Sequence, residues 1–220
     1  MRIKPIRNLI LIYSVLSLCF CKGQTSNKPW AEGQDNIKDT VIKDIPPDKL
    51  EQSYQQIKSN IERKLNLGKL EEGFDGLQIR LWYGYAFKDK EQLIILKERN
   101  SSWSAELHTI TFQFSDKYDS VLSITKETID KNPKSGWKNF MAQLIDLDIL
   151  TLPDYQKIPN YNLSTDPDGI TIEIATAGSY RIYTYPEPSY YKKHFLEAEK
   201  IVKIMDLIED EFSFKRLRIF

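Results

Sequence analysis

The residues best suited to binding or chemistry in this sequence are an acidic, a basic and two aromatic side chains in its last quarter. Arg181, Tyr183 and Tyr185 occupy alternate positions, so on a β-strand their side chains point to the same side of a sheet. Arginine and tyrosine are enriched at interface hot spots, and together with Glu173 on the preceding strand they predict a binding surface. The alternative is a sheet face covered by a helix, in which Glu173 and Arg181 form a cross-strand pair.

The sequence offers little support for a catalytic site. His108 and His194 are its only histidines, and the nucleophile motif G-x-S-x-G is absent. The metal- and nucleotide-binding motifs H-E-x-x-H, Walker A and G-x-G-x-x-G are absent too. We therefore predict no catalytic residue, no metal and no cofactor. The alternative is a hydrolase whose carboxylates and histidine meet only in the folded chain.

Hydrophobic periodicity predicts the elements that must place these residues. Apolar residues recur at helical spacing within residues 48–65, 135–145 and 189–212. Residues 77–87 alternate strictly, further strands are predicted at 93–96, 103–115 and 120–125, and residues 170–185 form a hairpin. The predicted fold class is therefore α+β. Its antiparallel sheet, a four-strand meander plus a C-terminal hairpin, is covered on one face by about three amphipathic helices.

The third predicted strand changes its apolar face part of the way along. The apolar positions are first Trp103, Ala105 and Leu107, and then Ile110, Phe112 and Phe114. Because a shift of one residue moves every side chain to the other face, this pattern predicts a β-bulge near His108 and Thr109.

The first 23 residues have the composition of a secretory signal peptide. Three basic residues lie within the first seven positions, and a 13-residue apolar run follows at residues 9–21. A membrane-spanning helix needs about 20 apolar residues, so this run is too short to cross a bilayer. We predict a signal peptide at 1–23, a flexible polar leader at 24–46 and a single α+β domain at 47–220.

Two processing routes are open at the end of this segment. Small side chains favour cleavage between Gly23 and Gln24, which would release the chain freely. The alternative is a lipoprotein acylated at Cys19, since the residues before Cys19 resemble the start of a lipobox. Only the lipid would tether the domain to a membrane.

Composition excludes several functions for the predicted mature chain. Removing residues 1–23 removes four basic residues and no acids, which leaves a net charge of −4 and argues against nucleic-acid binding. Both cysteines, Cys19 and Cys21, lie in the signal segment. The mature chain therefore has no disulfide, no thiol nucleophile and no cysteine-ligated metal.

Two segments resemble small exported α+β proteins of Gram-negative bacteria. They begin at LQIRLWYGYAF and at GWKNFMAQLIDLDILTLPD, and together with the strands that follow they cover about half of the chain. The resemblance implies an exported α+β fold and assigns no functional residue. We expect an exported, non-enzymatic binding domain of the cell envelope, periplasmic or secreted. Its partner would be an envelope protein or a small ligand.

Overall fold

The structure is a computed structural model that describes residues 41–84, 90–114, 121–162 and 168–217. The predicted cleavage and lipidation residues, Cys19, Gly23 and Gln24, lie outside these ranges. The strands are β1 (Ile42–Asp44), β2 (Leu77–Gly84), β3 (Lys90–Arg99), β4 (Ser102–Phe114), β5 (Val121–Lys131), β6 (Gly169–Ala175) and β7 (Ser179–Pro186). The helices are α1 (Gln52–Leu65), α2 (Trp137–Asp146), α3 (Pro188–Tyr191) and α4 (Leu196–Phe212).

Seven strands of the described residues form one sheet in the order β1-β7-β6-β2-β3-β4-β5. The predicted α+β class, the four-strand meander (β2 to β5) and the C-terminal hairpin (β6 and β7) are confirmed. The hairpin joins the meander because β6 pairs antiparallel with β2. The chain therefore brings its two predicted units into a single sheet.

The prediction of a purely antiparallel sheet is wrong, because β1 pairs in parallel with β7. Ile42 lies opposite Ser179 in this pairing, and β1 covers the edge that β7 would otherwise present to solvent. This strand falls inside residues 24–46, which the sequence predicted as a leader. It is three residues long and exposed, so it shows no alternation of apolar residues that could have revealed it.

The helices cover both faces of the sheet, and the prediction of one covered face is wrong. On the first face, α2 and α4 pack over apolar side chains of five strands, among them Ile79, Ile94 and Tyr183. On the second face, the end of α1 packs over β3 and β4, where Leu65 contacts the cluster formed by Leu93 and its neighbours. Within the described ranges, no helix combines the length and apolarity needed to cross a bilayer.

The predicted β-bulge near His108 and Thr109 is absent from β4. The pairing of β3 with β4 runs without a shift from Lys90 opposite Thr111 to Arg99 opposite Ser102. The apolar residues change face because each face of β4 is covered in a different part of the strand. Ala105 and Leu107 pack under α2 and α4, whereas Ile110 and Phe112 pack near α1. The register shift of this strand lies further on, between Gln113 and Phe114, against β5.

Candidate functional site

The sheet separates the four residues predicted as a binding surface. Glu173 lies opposite Ile182 in the β6–β7 pairing, and Arg181 lies opposite Ile174. The predicted Glu173–Arg181 pair is therefore wrong, since neighbouring register positions point to opposite faces. Arg181, Tyr183 and Tyr185 face α2 and α4, whereas Glu173 faces α1.

The three residues on the first face hold a loop against the sheet. The hydroxyls of Tyr183 and Tyr185 each donate to a backbone carbonyl within residues 149–153 at 2.6 Å. The Arg181 guanidinium donates to two more carbonyls of the same loop. Tyr183 and Tyr185 are fully buried, and burial raises the pKa of both hydroxyls. This placement favours the interpretation of a covered sheet face for these three residues.

On the second face, a buried ammonium group joins α1 to the sheet. Nζ of Lys58 lies 3.1 Å from Glu62, 2.9 Å from Glu71 and 3.1 Å from Glu173. Glu173 is 0% exposed, so its charge has no access to water. Burial alone would lower the pKa of Lys58, but the carboxylates of Glu173 and Glu62 outweigh it and hold that pKa above its usual range.

Neighbouring strands complete the hydrogen bonds of these carboxylates. Trp82 Nε1 donates to Oε2 of Glu173 at 2.7 Å, and the Tyr180 hydroxyl donates to its Oε1 at 2.7 Å. Arg80 Nη1 donates to Glu62 at 2.8 Å. A buried charge is tolerated when it is paired and its remaining lone pairs are hydrogen-bonded, and Glu173 meets both conditions. We call Lys58, Glu62, Glu71, Arg80 and Glu173 the charged network.

Beside the charged network, a cavity of about 490 Å³ opens between α1 and the sheet. Its walls are largely apolar: Tyr54, Ile57, Ile61, Trp82, Tyr155 and Pro186. Gly84 and Gly169 lie opposite each other on β2 and β6 and also line it. Since glycine has no side chain, this pair leaves room at the ends of the two strands.

Polar and charged residues make up the smaller part of the cavity lining. Thr171 and Thr184 lie side by side, with their hydroxyl oxygens 3.1 Å apart. Glu91 of β3 also lines the cavity, and no hydrogen bond or ion pair joins its carboxylate to another described residue. Burial raises the pKa of Glu91 from 4.5 to about 7. Asp48, Lys49 and Lys58 complete the charged part of the lining.

The two histidines lie apart from each other and from this cavity. His108 is buried on β4, where Nδ1 lies 2.9 Å from the Thr128 hydroxyl and Nε2 lies 3.2 Å from Glu106. Burial lowers the pKa of His108, although Glu106 opposes this effect. His194 is exposed in the turn before α4. Neither histidine is among the residues that line the cavity beside α1.

The described part of the chain contains no group of three His, Cys, Asp or Glu side chains placed to hold a metal ion. The three carboxylates that do converge, from Glu62, Glu71 and Glu173, surround the ammonium of Lys58. A lysine thus provides the positive charge at this position.

The chain matches no protein-family model, no curated protein and no solved structure, so its site is interpreted from its own geometry alone.

Sequence reasoning missed Lys58, Trp82 and Glu91, all of which line the cavity. One signal was present in strand β2, where Trp82 lies among the polar positions of a strictly alternating segment. A large aromatic side chain on the polar side of a strand indicates that this side is covered as well. Lys58 and Glu62 lie four residues apart on α1, but the other pairs of the charged network join residues that are far apart in sequence, and no local pattern reveals them.

We expect Lys58→Ala to destabilise the protein by about 3 kcal/mol, because it leaves the carboxylate of Glu173 buried without a cation. Lys203→Ala is the matched control, since Lys203 also pairs with a helical glutamate four residues away but is exposed. That variant should lose less than about 0.5 kcal/mol. Urea unfolding measures both. Equal losses would show that the network contributes no more than a surface pair.

We expect Glu91 to make the protein less stable as the pH rises. The folded chain holds this proton up to a pKa of about 7, whereas the usual value is 4.5. Between these values the folded state binds more protons than the unfolded state, so the free energy of unfolding falls with pH and levels off above about 7. Glu91→Gln removes this dependence. The free energy of unfolding of this variant, relative to that of the wild type, should therefore be about 1–3 kcal/mol higher at pH 8 than at pH 4.

Urea unfolding of the wild type and Glu91→Gln across this pH range measures the difference. Glu51→Gln, which replaces an exposed carboxylate, is the control and should follow the wild-type curve. Parallel wild-type and Glu91→Gln curves would contradict the assigned environment of Glu91.

Proposed function

We propose that this protein is a non-enzymatic binding domain, and that its ligand is a small amphipathic molecule held in the cavity beside α1. The N-terminal segment supports export to the cell envelope as part of the same proposal. A partner that brings such a molecule, or receives it, would belong to the same compartment.

The cavity is the observation that carries this proposal. The cavity is open to solvent along α1, where Ile57 is 53% exposed. A space of about 490 Å³ lies within the range of small-molecule sites, roughly 300–1,000 Å³. Its apolar walls with a few polar groups are the usual composition of such sites. Burial of an alkyl chain or ring against these walls would supply the binding energy.

The cavity has a firm floor and a fixed roof, which limits the cost of ordering on binding. Its floor consists of strands β2, β3, β6 and β7, and each of these strands has a paired strand on either side. Its roof is α1, which Lys58 joins to Glu173 in the floor. A preformed site of this kind loses little conformational entropy when a ligand enters.

The hydrolase alternative draws less support from the geometry. A general base needs to lie within hydrogen-bond reach of a bound substrate. His108 is buried between Thr128 and Glu106, and its neighbourhood supplies one carboxylate rather than two. His194 is exposed in a turn. The cavity beside α1 offers a carboxylate, Glu91, but no histidine among its described lining residues.

Filling the cavity should weaken binding without harming the fold. Gly84→Leu places a side chain in the cavity, and a Cβ at this position meets only the Gly169 carbonyl, at an ordinary distance of 4.0 Å. We expect calorimetric titration to detect one molecule of decanol bound per wild-type chain, and Gly84→Leu to weaken this binding at least about tenfold.

Gly178→Leu is the matched control, because a Cβ there meets nothing within 4 Å and the residue lies in the turn between β6 and β7. This variant should bind decanol like the wild type. Absence of binding to the wild type, or equal binding by Gly84→Leu, would contradict the assignment of the cavity as the site.

A further inference from the structure

The charges that line the cavity beside α1 are balanced, with one exception. Lys49 pairs with Asp48 at 3.3 Å. Lys58 is surrounded by the three carboxylates of the charged network. Glu91 is left without a cation among the described residues, although it lies on an apolar wall where an unpaired carboxylate is costly. Among its described lining residues, the cavity therefore lacks a cation for this carboxylate.

The charged network beside the cavity does not oppose a cation there. The charged network contains three carboxylates, Glu62, Glu71 and Glu173, and two cations, Lys58 and Arg80. Its formal charge is therefore −1 when all five groups are ionised. Only Lys58 of these five residues lines the cavity, and the carboxylates around it offset its charge, so the network presents no net positive charge that would repel a cation.

Aromatic rings in the walls also suit a cation. Tyr54, Trp82 and Tyr155 line the cavity. A cation within about 6 Å of an aromatic ring centre is attracted by the negative face of the ring. Lys49 already shows this contact, with its Nζ 4.6 Å from the centre of the Tyr54 ring.

We propose that the ligand of this cavity is a cationic amphiphile, whose amine or quaternary ammonium head pairs with Glu91 and whose apolar body lies against Ile57, Ile61 and Trp82. This inference rests on the proposed function and specifies its ligand class. The shared chemistry is an ammonium group on an apolar body, whether the source is a lipid-like molecule or a free organic amine.

The pairing makes binding depend on pH, because only the ionised carboxylate attracts the ammonium. With a pKa of about 7 in the empty cavity, Glu91 is mostly protonated at pH 5.5 and mostly ionised at pH 8. Of the other charged groups near the cavity, Asp48 and Lys49 pair with each other and Lys58 pairs with the charged network. On the neighbouring strands, His108 lies beside Glu106 and Thr128, and Lys126 donates to the Leu65 carbonyl. Binding of the cation should therefore strengthen as the pH rises.

Three probes of equal chain length separate the head groups: decyltrimethylammonium, decanol and decanoate, each titrated calorimetrically below its micelle concentration. At pH 8 the cation should bind about tenfold more tightly than decanol, and decanoate should bind more weakly than decanol. Between pH 8 and pH 5.5 the affinity for the cation should fall about tenfold, and the affinity for decanol should stay constant.

Glu91→Gln should remove the preference for the cation over decanol and the pH dependence of cation binding. Glu51→Gln, at an exposed position of the same chain, should leave all three affinities unchanged. Equal affinity for the three probes, or a pH dependence that persists in Glu91→Gln, would overturn the cationic ligand and leave the proposed function standing. Failure of every probe to bind would contradict both.

Discussion

The contact between Lys58 and Glu173 is the constraint on which the second face of the sheet depends. Glu173 lies within β6 with no access to water, so its charge needs a cation from the layer that covers the strand. Lys58 of α1 provides this cation and thereby fixes the position of the helix over the strands. Apolar contacts hold the helix at its two ends, through Tyr54 and Leu65, in separate clusters. The cavity is bounded by the stretch of helix between them.

The two faces of the sheet differ in the size of the apolar core that each carries. The first face, under α2 and α4, carries one continuous apolar core, and this core contains most of the buried apolar residues in the described part of the chain. Tyr183 and Tyr185 add buried hydroxyls that hold the loop after α2. The second face carries two smaller clusters separated by charges. The open cavity and Glu91, which has no cation partner among the described residues, lie on the face that contributes less to the core.

The sequence predicted the elements better than it predicted what covers them. Alternation over β2 and helical spacing over α2 and α4 were strong local signals, and the meander, the hairpin and the α+β class followed from them. Alternation tells which residues share a face, but not which layer lies above it. The same limit produced the false β-bulge, because Ile110 faces a different layer from Leu107. The sequence did not predict the cavity beside α1, because Lys58, Glu91 and Glu173 come from three separate elements.

A crystal structure of the protein grown with decyltrimethylammonium would show whether the cavity beside α1 holds a cationic amphiphile with its head at Glu91. We expect electron density for one molecule, with its alkyl chain along Ile57 and Trp82 and its ammonium group next to the Glu91 carboxylate. An empty cavity at saturating probe, or a molecule bound with its head away from Glu91, would contradict it.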